Sequence, residues 1–159
     1  MITIRTAAPS DTQAIARVHQ DAIRALAGSH YSQAQLDAWA AIHSPAYYER
    51  VLSAYQEVLV AEQDGRIVAA GRLDLESGNM QSVYVAPEAA GHGVGSALLE
   101  HMEALARMHG WPMVHLVASL NAVPFFEKRG YAKVSKLHHE LASGVALDLV
   151  QMRKRFPKS

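Results

Sequence analysis

Three glycines at alternate positions, Gly91, Gly93 and Gly95, stand at the start of a long amphipathic segment. A helix N-terminus carries unpaired backbone N–H groups and the positive end of the helix dipole, so it attracts anions. Glycine lets the backbone come close to a bulky phosphate because no Cβ intervenes. The spacing indicates a phosphate-binding loop; the alternative is a tight strand-to-helix turn in which glycine only permits close packing.

Two common phosphate-binding motifs do not fit this loop. A P-loop needs Gly-Lys-Ser/Thr, and the sequence contains no such tripeptide. The dinucleotide-binding fingerprint needs G-x-G-x-x-G, whereas the spacing here is G-x-G-x-G. The strand before the loop is also predicted to belong to an antiparallel meander, not to the βαβ unit that this fingerprint opens.

The elements that position the loop follow from the hydrophobic pattern. The predicted order is a strand, three helices, a three-stranded meander, the long helix, a strand, a short helix and two closing strands. The first helix is expected to end at Gly28, and Ser32 and Ser44 are expected to cap the next two. This order predicts one α/β domain over residues 1–159, built on a mixed, mostly antiparallel sheet flanked by helices.

Composition excludes several classes of function. Fifteen Lys and Arg balance fifteen Asp and Glu, so no excess of charge favours nucleic acid or an anionic membrane. The chain has no cysteine, which excludes disulfides and thiolate chemistry. No metal site is expected, because the adjacent His138 and His139 would point to opposite faces of one edge strand. The sequence has neither a signal peptide nor a membrane-spanning run, so a cytoplasmic protein is expected.

Two segments resemble motifs of the GNAT acyltransferases, which use acetyl-coenzyme A. Residues 83–99, VYVAPEAAGHGVGSALL, resemble the most common motif of that family, and residues 122–131, AVPFFEKRGY, are similar to a second one. The order of elements matches along the whole chain. In addition, HYSQAQLDAWA over residues 30–40 resembles a branch of bacterial members that carry this segment between the first two helices.

The resemblance implies a GNAT-like fold with a splayed sheet. Strands 80–86 and 113–119 would part at their C-terminal ends, with the pantetheine arm of the cofactor in the gap. Main-chain groups of Val83 and Val85 would hydrogen-bond that arm, and the N–H groups of residues 91–96 would hold the pyrophosphate. The implied cofactor-binding residues are Val83, Tyr84, Val85, Gly91, His92, Gly93, Val94, Gly95, Ser96, Asn121 and Phe126. For Asn121 the alternative is a helix N-cap.

Two positions depart from the family pattern. Relatives usually have Arg or Gln at the position of Ala90, where it clamps the phosphates with a charge-assisted bond typically worth about 1.5–3 kcal/mol. His92 and Ser96 are the local candidates to replace it; the alternative for His92, which its place in a loop favours, is a solvated residue. Many members have a tyrosine at the position of Phe126 that protonates the leaving thiolate. Because thiols have a pKa near ~8.5, acetyl transfer can proceed without this acid.

A general base is needed because the attacking amine is mostly protonated at neutral pH. Strand alternation predicts Asn79 and Gln81 on one face with Val83, toward the active centre, where either could hold a water that relays the proton. Glu76, otherwise a solvated turn residue, and Tyr31 are the other candidates. The main-chain N–H of Val83 is the candidate donor to the oxyanion of the tetrahedral intermediate.

The sequence leaves the acceptor open. Trp39, Tyr47, Tyr48 and Tyr55 either line a pocket for an aromatic or hydrophobic amine or belong to the core. The leading hypothesis is an N-acetyltransferase that moves the acetyl group of acetyl-coenzyme A directly to a primary amine of a small molecule or peptide. The alternatives are a coenzyme-A-binding regulatory module with little catalysis and a protein-interaction domain without cofactor. The resemblance also makes a homodimer a common arrangement.

Overall fold

The computed structural model describes residues 1–26, 30–54 and 57–158. Within these ranges the strands are β1 (Ile2–Thr6), β2 (Glu57–Gln63), β3 (Arg66–Asp74), β4 (Asn79–Val85), β5 (Met113–Ser119), β6 (Ala132–Glu140) and β7 (Ala146–Arg155). The helices are α1 (Thr12–Arg24), α2 (Gln33–Ile42), α3 (Pro45–Ser53), α4 (Val94–Met108) and α5 (Val123–Glu127). The predicted order of elements is confirmed. The expected helix end at Gly28 and the aromatic Tyr55 lie outside the described residues.

The strands form one sheet in the order β1-β2-β3-β4-β5-β7-β6. Neighbouring strands are antiparallel except β4 and β5, which the chain connects through α4 and which run parallel. This parallel pairing covers only Asn79 with His115 and Met80 with Leu116. Beyond these pairs the two strands separate, which confirms the expected splay.

A β-bulge in β4 corrects one prediction about the site. Leu73 pairs with Met80, but Arg72 pairs with Ser82, so Gln81 is an extra residue on β4 without an opposite partner. The bulge interrupts the alternation of side chains along the strand. The prediction that Asn79 shares one face with Val83 is therefore wrong: Met80 shares that face with Val83, and Asn79 lies on the other. Gln81, predicted on that face as well, borders one cavity together with Val83.

Helices cover both faces of the sheet. α4 packs on one face through buried Leu98 and Met102, while α1 and α3 cover the opposite face through Val18 and Val51. At Gly71 of β3 a Cβ would lie 2.5 Å from the sulfur of Met102, so glycine lets α4 approach the sheet closely. No helix in the described part of the chain is long and apolar enough to cross a membrane.

Capping residues fix the start of α2 and α3, as predicted. The hydroxyl of Ser32 accepts from the N–H of Gln35 at 3.2 Å, and the side chain of Gln35 accepts from the N–H of Ser32 at 2.8 Å. The hydroxyl of Ser44 accepts from the N–H of Tyr47 at 3.1 Å, and Pro45 begins the helix. Since α2 ends at Ile42 and α3 begins at Pro45, the short turn between them holds His43 in place.

Candidate active site

The separation of β4 and β5 opens two cavities that meet at the gap. The loop-side cavity, about 490 Å³, lies between the gap, the glycine loop and the start of α4. The inner cavity, about 310 Å³, is lined by residues of α2, β4, β5 and β7. The residues that line both are Trp39, Val83, Tyr84, Ser119 and Ala122. A ligand that lies in the gap can therefore reach from one cavity into the other.

Main-chain groups of β4 point into the gap at alternate residues. The N–H of Ala86 donates to the carbonyl of Val68 at 2.7 Å, which continues the ladder between β4 and β3. Because hydrogen-bonded residues alternate along an antiparallel ladder, Tyr84 also directs its main-chain groups toward β3. Val83 and Val85 therefore direct theirs toward β5, which pairs only with the start of β4. These polar groups are open to a ligand in the gap.

The three glycines of the loop meet two different needs. Gly91 and Gly93 have φ angles of 81° and 82°, in the left-handed region that other residues rarely adopt. Gly95 lies inside α4, where a Cβ would come within 3.2 Å of Val85 and 3.3 Å of Phe125. Close packing thus explains Gly95, whereas Gly91 and Gly93 shape the loop.

Arg129 adds a positive charge beside the first turn of α4. The N-cap of this helix, Gly93, makes no side-chain hydrogen bond, so the first N–H groups have no cap. Arg129 donates from Nε to the hydroxyl oxygen of Ser96 at 2.8 Å and from Nη1 to the carbonyl of Phe125 at 2.8 Å, while Nη2 also bonds Ser96. Its guanidinium lies 3.7 Å from the centre of the Phe125 ring. Sequence reasoning missed this residue, although it lies within the second motif.

Most of the side chains and glycines predicted to bind a cofactor line the loop-side cavity: Val83, Tyr84, Val85, Gly91, Gly93, Gly95, Ser96 and Asn121. Three others lie elsewhere. The side chain of Val94 is buried in the core, although its main-chain N–H, the group predicted to bind, belongs to the first turn of α4; the exposed His92 lines neither cavity. Phe126 lines the inner cavity. The alternative interpretation of Asn121 as an N-cap is wrong, because neither the turn that contains it nor α5 has a side-chain cap; its Oδ1 instead accepts from Nδ1 of His30 at 3.2 Å.

The four side chains predicted as catalytic are dispersed. Gln81 lines the inner cavity and also a smaller cavity of about 180 Å³, which is the one that Asn79 lines. Glu76 is exposed in the turn after β3 and lines neither cavity, which fits a solvated turn residue. Tyr31 is buried, and its hydroxyl bonds main-chain groups of β7 and of the turn after β5 at 2.6 and 3.0 Å. Burial raises the pKa of Tyr31, which disfavours the phenolate that a base would require.

His43, which the sequence did not single out, lines the inner cavity. Its Nδ1 donates to the carbonyl of Trp39 at 3.1 Å. Because a carbonyl can only accept, the neutral ring carries its proton on Nδ1 and keeps a lone pair on Nε2. The ring packs on that of buried His19, with centroids 3.7 Å apart. Burial lowers the pKa of His43 to about 4, and the charge of Arg72 acts in the same direction. His43 is therefore neutral at pH 7.

The aromatic residues considered for an acceptor pocket divide between cavity and core. Trp39 and Tyr47 line the inner cavity, as predicted by one of the two interpretations. Tyr48 is buried, and its hydroxyl shares a hydrogen bond with Nδ1 of His19. Of the residues that the structure describes, no Asp or Glu lines the inner cavity, and most of the wall is apolar, including Ile42, Leu116, Val117, Leu141, Leu147 and Leu149.

The adjacent histidines of β6 have separate surroundings. Nδ1 of His138 bonds Oδ1 of Asp148 on β7 at 2.7 Å, whereas His139 lines the inner cavity. Both side chains are exposed on β6, the last strand of the sheet, as expected for a solvated edge pair, and that of His139 also borders the inner cavity. Across residues 1–26, 30–54 and 57–158, no group of three or more His, Asp or Glu side chains is arranged to hold a metal ion.

Comparison with known proteins connects this arrangement to a family. Residues 27–156 match the family model of the acetyltransferase (GNAT) domain. The uncharacterized N-acetyltransferase YafP of Escherichia coli K12 is 30% identical over 135 residues, which are 85% of this chain and 84% of that protein. A crystal structure of a GCN5-related N-acetyltransferase from Rhodopseudomonas palustris has a TM-score of 0.90 at 30% identity, covering 97% of this chain and 95% of that one. The PaiA N-acetyltransferase of Thermoplasma acidophilum, solved in complex with coenzyme A, shares the fold at 16% identity, with a TM-score of 0.78 and coverage of 98% and 99%.

Proposed function

Because the chain belongs to the GNAT acetyltransferase family, we propose that it transfers the acetyl group of acetyl-coenzyme A directly to a primary amine. The observation that carries this proposal is the gap between β4 and β5, which joins a glycine loop at a helix N-terminus to a separate, largely apolar cavity. We assign the whole of residues 1–159 to this catalytic domain. A homodimer and a cytoplasmic location stay predictions.

The loop-side cavity suits a diphosphate with a long amide-containing arm. The left-handed turns at Gly91 and Gly93 and the uncapped first turn of α4 offer N–H groups to the diphosphate. The gap offers the main-chain groups of Val83 and Val85 to the amides of the arm. Acetyl-coenzyme A would supply the thioester carbonyl and the thiol leaving group.

Val83 lies at the junction of the two cavities. Its N–H is directed into the gap and is held by the ladder with β3, so it needs no rearrangement to meet negative charge that develops on a carbonyl oxygen. A fixed donor of this kind typically contributes about 10²–10³-fold to turnover. This role is the one predicted for Val83 from the sequence.

We assign the proton transfer to His43. Its Nε2 keeps a lone pair at neutral pH, because Nδ1 donates to Trp39 and the pKa is about 4. It can take the proton of the attacking amine directly or through a water held by Gln81, which lines the same cavity. Glu76 and Asn79 line neither of the two joined cavities, and Tyr31 is engaged in hydrogen bonds with the main chain.

The inner cavity favours an acceptor with an apolar or aromatic body and a weakly basic primary amine. An ammonium group would lose its hydration there without meeting a carboxylate among the described lining residues, so the neutral amine is the form that enters. The rings of Trp39 and Tyr47 and the aliphatic side chains of β5 and β7 provide the contact surface. Polyamines and lysine side chains are poor candidates on this ground.

The test is coenzyme A binding by calorimetry, followed by thiol release from acetyl-coenzyme A with a panel of amines. The panel pairs aromatic amines with aliphatic diamines of similar size. We expect binding of coenzyme A and turnover that favours the aromatic members. Binding without turnover on any amine would favour a regulatory coenzyme-A-binding module, and absence of binding would refute the proposal.

The variant His43→Gln tests the base. We expect turnover to fall by about 10²-fold or more, with unchanged affinity for coenzyme A, because His43 does not line the loop-side cavity. Glu76→Gln is the matched control and should retain turnover. Equal turnover of wild type and His43→Gln, or a large loss in Glu76→Gln, would contradict the assignment.

A further inference from the structure

We propose that Arg129 supplies the positive charge for the pyrophosphate of coenzyme A that relatives place at the position of Ala90. The inference rests on the proposed function. Ala90 lines the loop-side cavity but has no hydrogen-bond donor in its side chain. Arg129 follows α5 and lines the same cavity from a different element. The positive charge would therefore lie in the same cavity as in relatives, although it comes from a different position in the sequence.

The charge of Arg129 lacks a counter-charge within the described residues. By contrast, Arg5 pairs with Asp11, and Arg17 pairs with Glu88. No ion pair with a carboxylate forms at Arg129, whose partners are the hydroxyl of Ser96, a carbonyl and a ring. The neighbouring first turn of α4 contributes the positive end of a dipole. Two positive features side by side indicate that an anion occupies the space between them.

The donors of Arg129 are held in place for such an anion. Guanidinium has five N–H groups, and the bonds to Ser96 and to the carbonyl of Phe125 engage one on each nitrogen. One N–H on each terminal nitrogen is left to donate. The hydroxyl oxygen of Ser96 accepts from Arg129, so its own proton is free to be donated to the same anion. Stacking on the ring of Phe125 fixes the guanidinium plane, which reduces the entropy lost on binding.

The alternative is that Arg129 only ties the end of α5 to α4. The variant Arg129→Gln separates the two roles when three ligands are compared by calorimetry. Coenzyme A carries the pyrophosphate and the 3′-phosphate, dephospho-coenzyme A keeps only the pyrophosphate, and pantetheine has neither. We expect about 10- to 100-fold weaker binding of the first two and unchanged binding of pantetheine. Lys128→Gln, which removes the adjacent exposed charge, is the matched control and should bind all three as the wild type does.

Restoring the charge from the family position is the second arm of the test. In the double variant Ala90→Arg, Arg129→Gln, we expect affinity for coenzyme A to return to within about tenfold of the wild type. A purely structural role would weaken binding of pantetheine as well and would not be rescued at residue 90. A loss confined to coenzyme A, absent for dephospho-coenzyme A, would assign Arg129 to the 3′-phosphate and overturn the proposal. If the wild type binds no coenzyme A, the proposed function fails; if it binds and Arg129→Gln binds equally, only this inference fails.

Discussion

Acid should destabilise this protein in a pH range set by its buried histidines. The pKa of His43 falls from 6.5 to about 4 on folding because burial disfavours the imidazolium, and burial lowers the pKa of His19 as well. The folded state therefore binds fewer protons than the unfolded chain between these two pKa values. The contribution of His43 to the free energy of unfolding is present in full above pH 6.5 and falls as the pH drops toward 4. Below pH 4 it does not change further.

The size of the effect follows from the shift. At about pH 5.2 the unfolded His43 holds nearly one proton and the folded one almost none, a difference of about 0.9 proton. The free energy of unfolding then changes by about 1.2 kcal/mol per pH unit. Between pH 6.5 and 4 the protein loses roughly 3 kcal/mol of stability. Asp11 acts in a lower range: Arg5 lowers its pKa below 3.8, so its contribution is lost only as the pH falls through that lower value.

Urea unfolding of wild type and His43→Gln, followed by circular dichroism between pH 7 and 4.5, measures this slope. We expect the variant to lose about 1.2 kcal/mol per pH unit less than the wild type near pH 5. His109→Gln removes an exposed histidine and shows what the loss of any one imidazole does to the slope. Equal slopes for wild type and His43→Gln would mean that folding does not lower the pKa of His43, which would contradict the burial of its ring.

Three further substitutions test the site and the core. Valine at residue 93 would be strained at a φ of 82°, so we expect Gly93→Val to lose coenzyme A binding in calorimetry while its circular dichroism spectrum stays native. Gly93→Asn is the control and should retain binding, because asparagine tolerates this φ. Binding by the valine variant would show that the anion does not bind at this loop. Phe126→Tyr should leave coenzyme A affinity unchanged and raise turnover by less than about 10²-fold, because a thiolate can leave without help from an acid. A loss of affinity would show that Phe126 contacts the cofactor. Glu103→Gln removes the negative charge and one of the two oxygens that accept from Tyr131 at 2.7 Å and from Lys154 at 3.0 Å, so urea unfolding should show a loss of about 2 kcal/mol. No loss would mean that this network is solvated.

The parts of this fold that sequence predicts are those fixed by neighbours along the chain. Ser32 and Ser44 cap helices because their hydroxyls reach N–H groups three residues ahead. Glycine directly before a helix start indicates a left-handed backbone conformation, which Gly91 and Gly93 both adopt. The order of strands and helices follows from periodicity in the same local way.

The parts that sequence did not predict depend on contacts between distant segments. The bulge at Gln81 exists because of how β4 pairs with β3, and period-two alternation has no means of showing it. His43 reaches the inner cavity because α2 packs on α1, where its ring lies against that of His19, and Arg129 reaches Ser96 across 33 residues of chain. The sequence carries only weak signals of these two positions: a histidine that directly follows α2, and an arginine inside the second motif.

The chemistry that we propose for the site relies on main chain more than on side chains, and this would explain which departures from the family pattern the fold can accept. The loop that we propose for the diphosphate, the donors in the gap and the proposed oxyanion N–H at Val83 all use backbone groups, whose positions are fixed where β4 and β5 separate. Side chains at Ala90 and Phe126 can therefore lose their usual functions without removing the binding geometry. What backbone cannot supply is net charge and a proton acceptor. Arg129 and His43, each brought in from outside the two strands, are the groups that we assign to these needs.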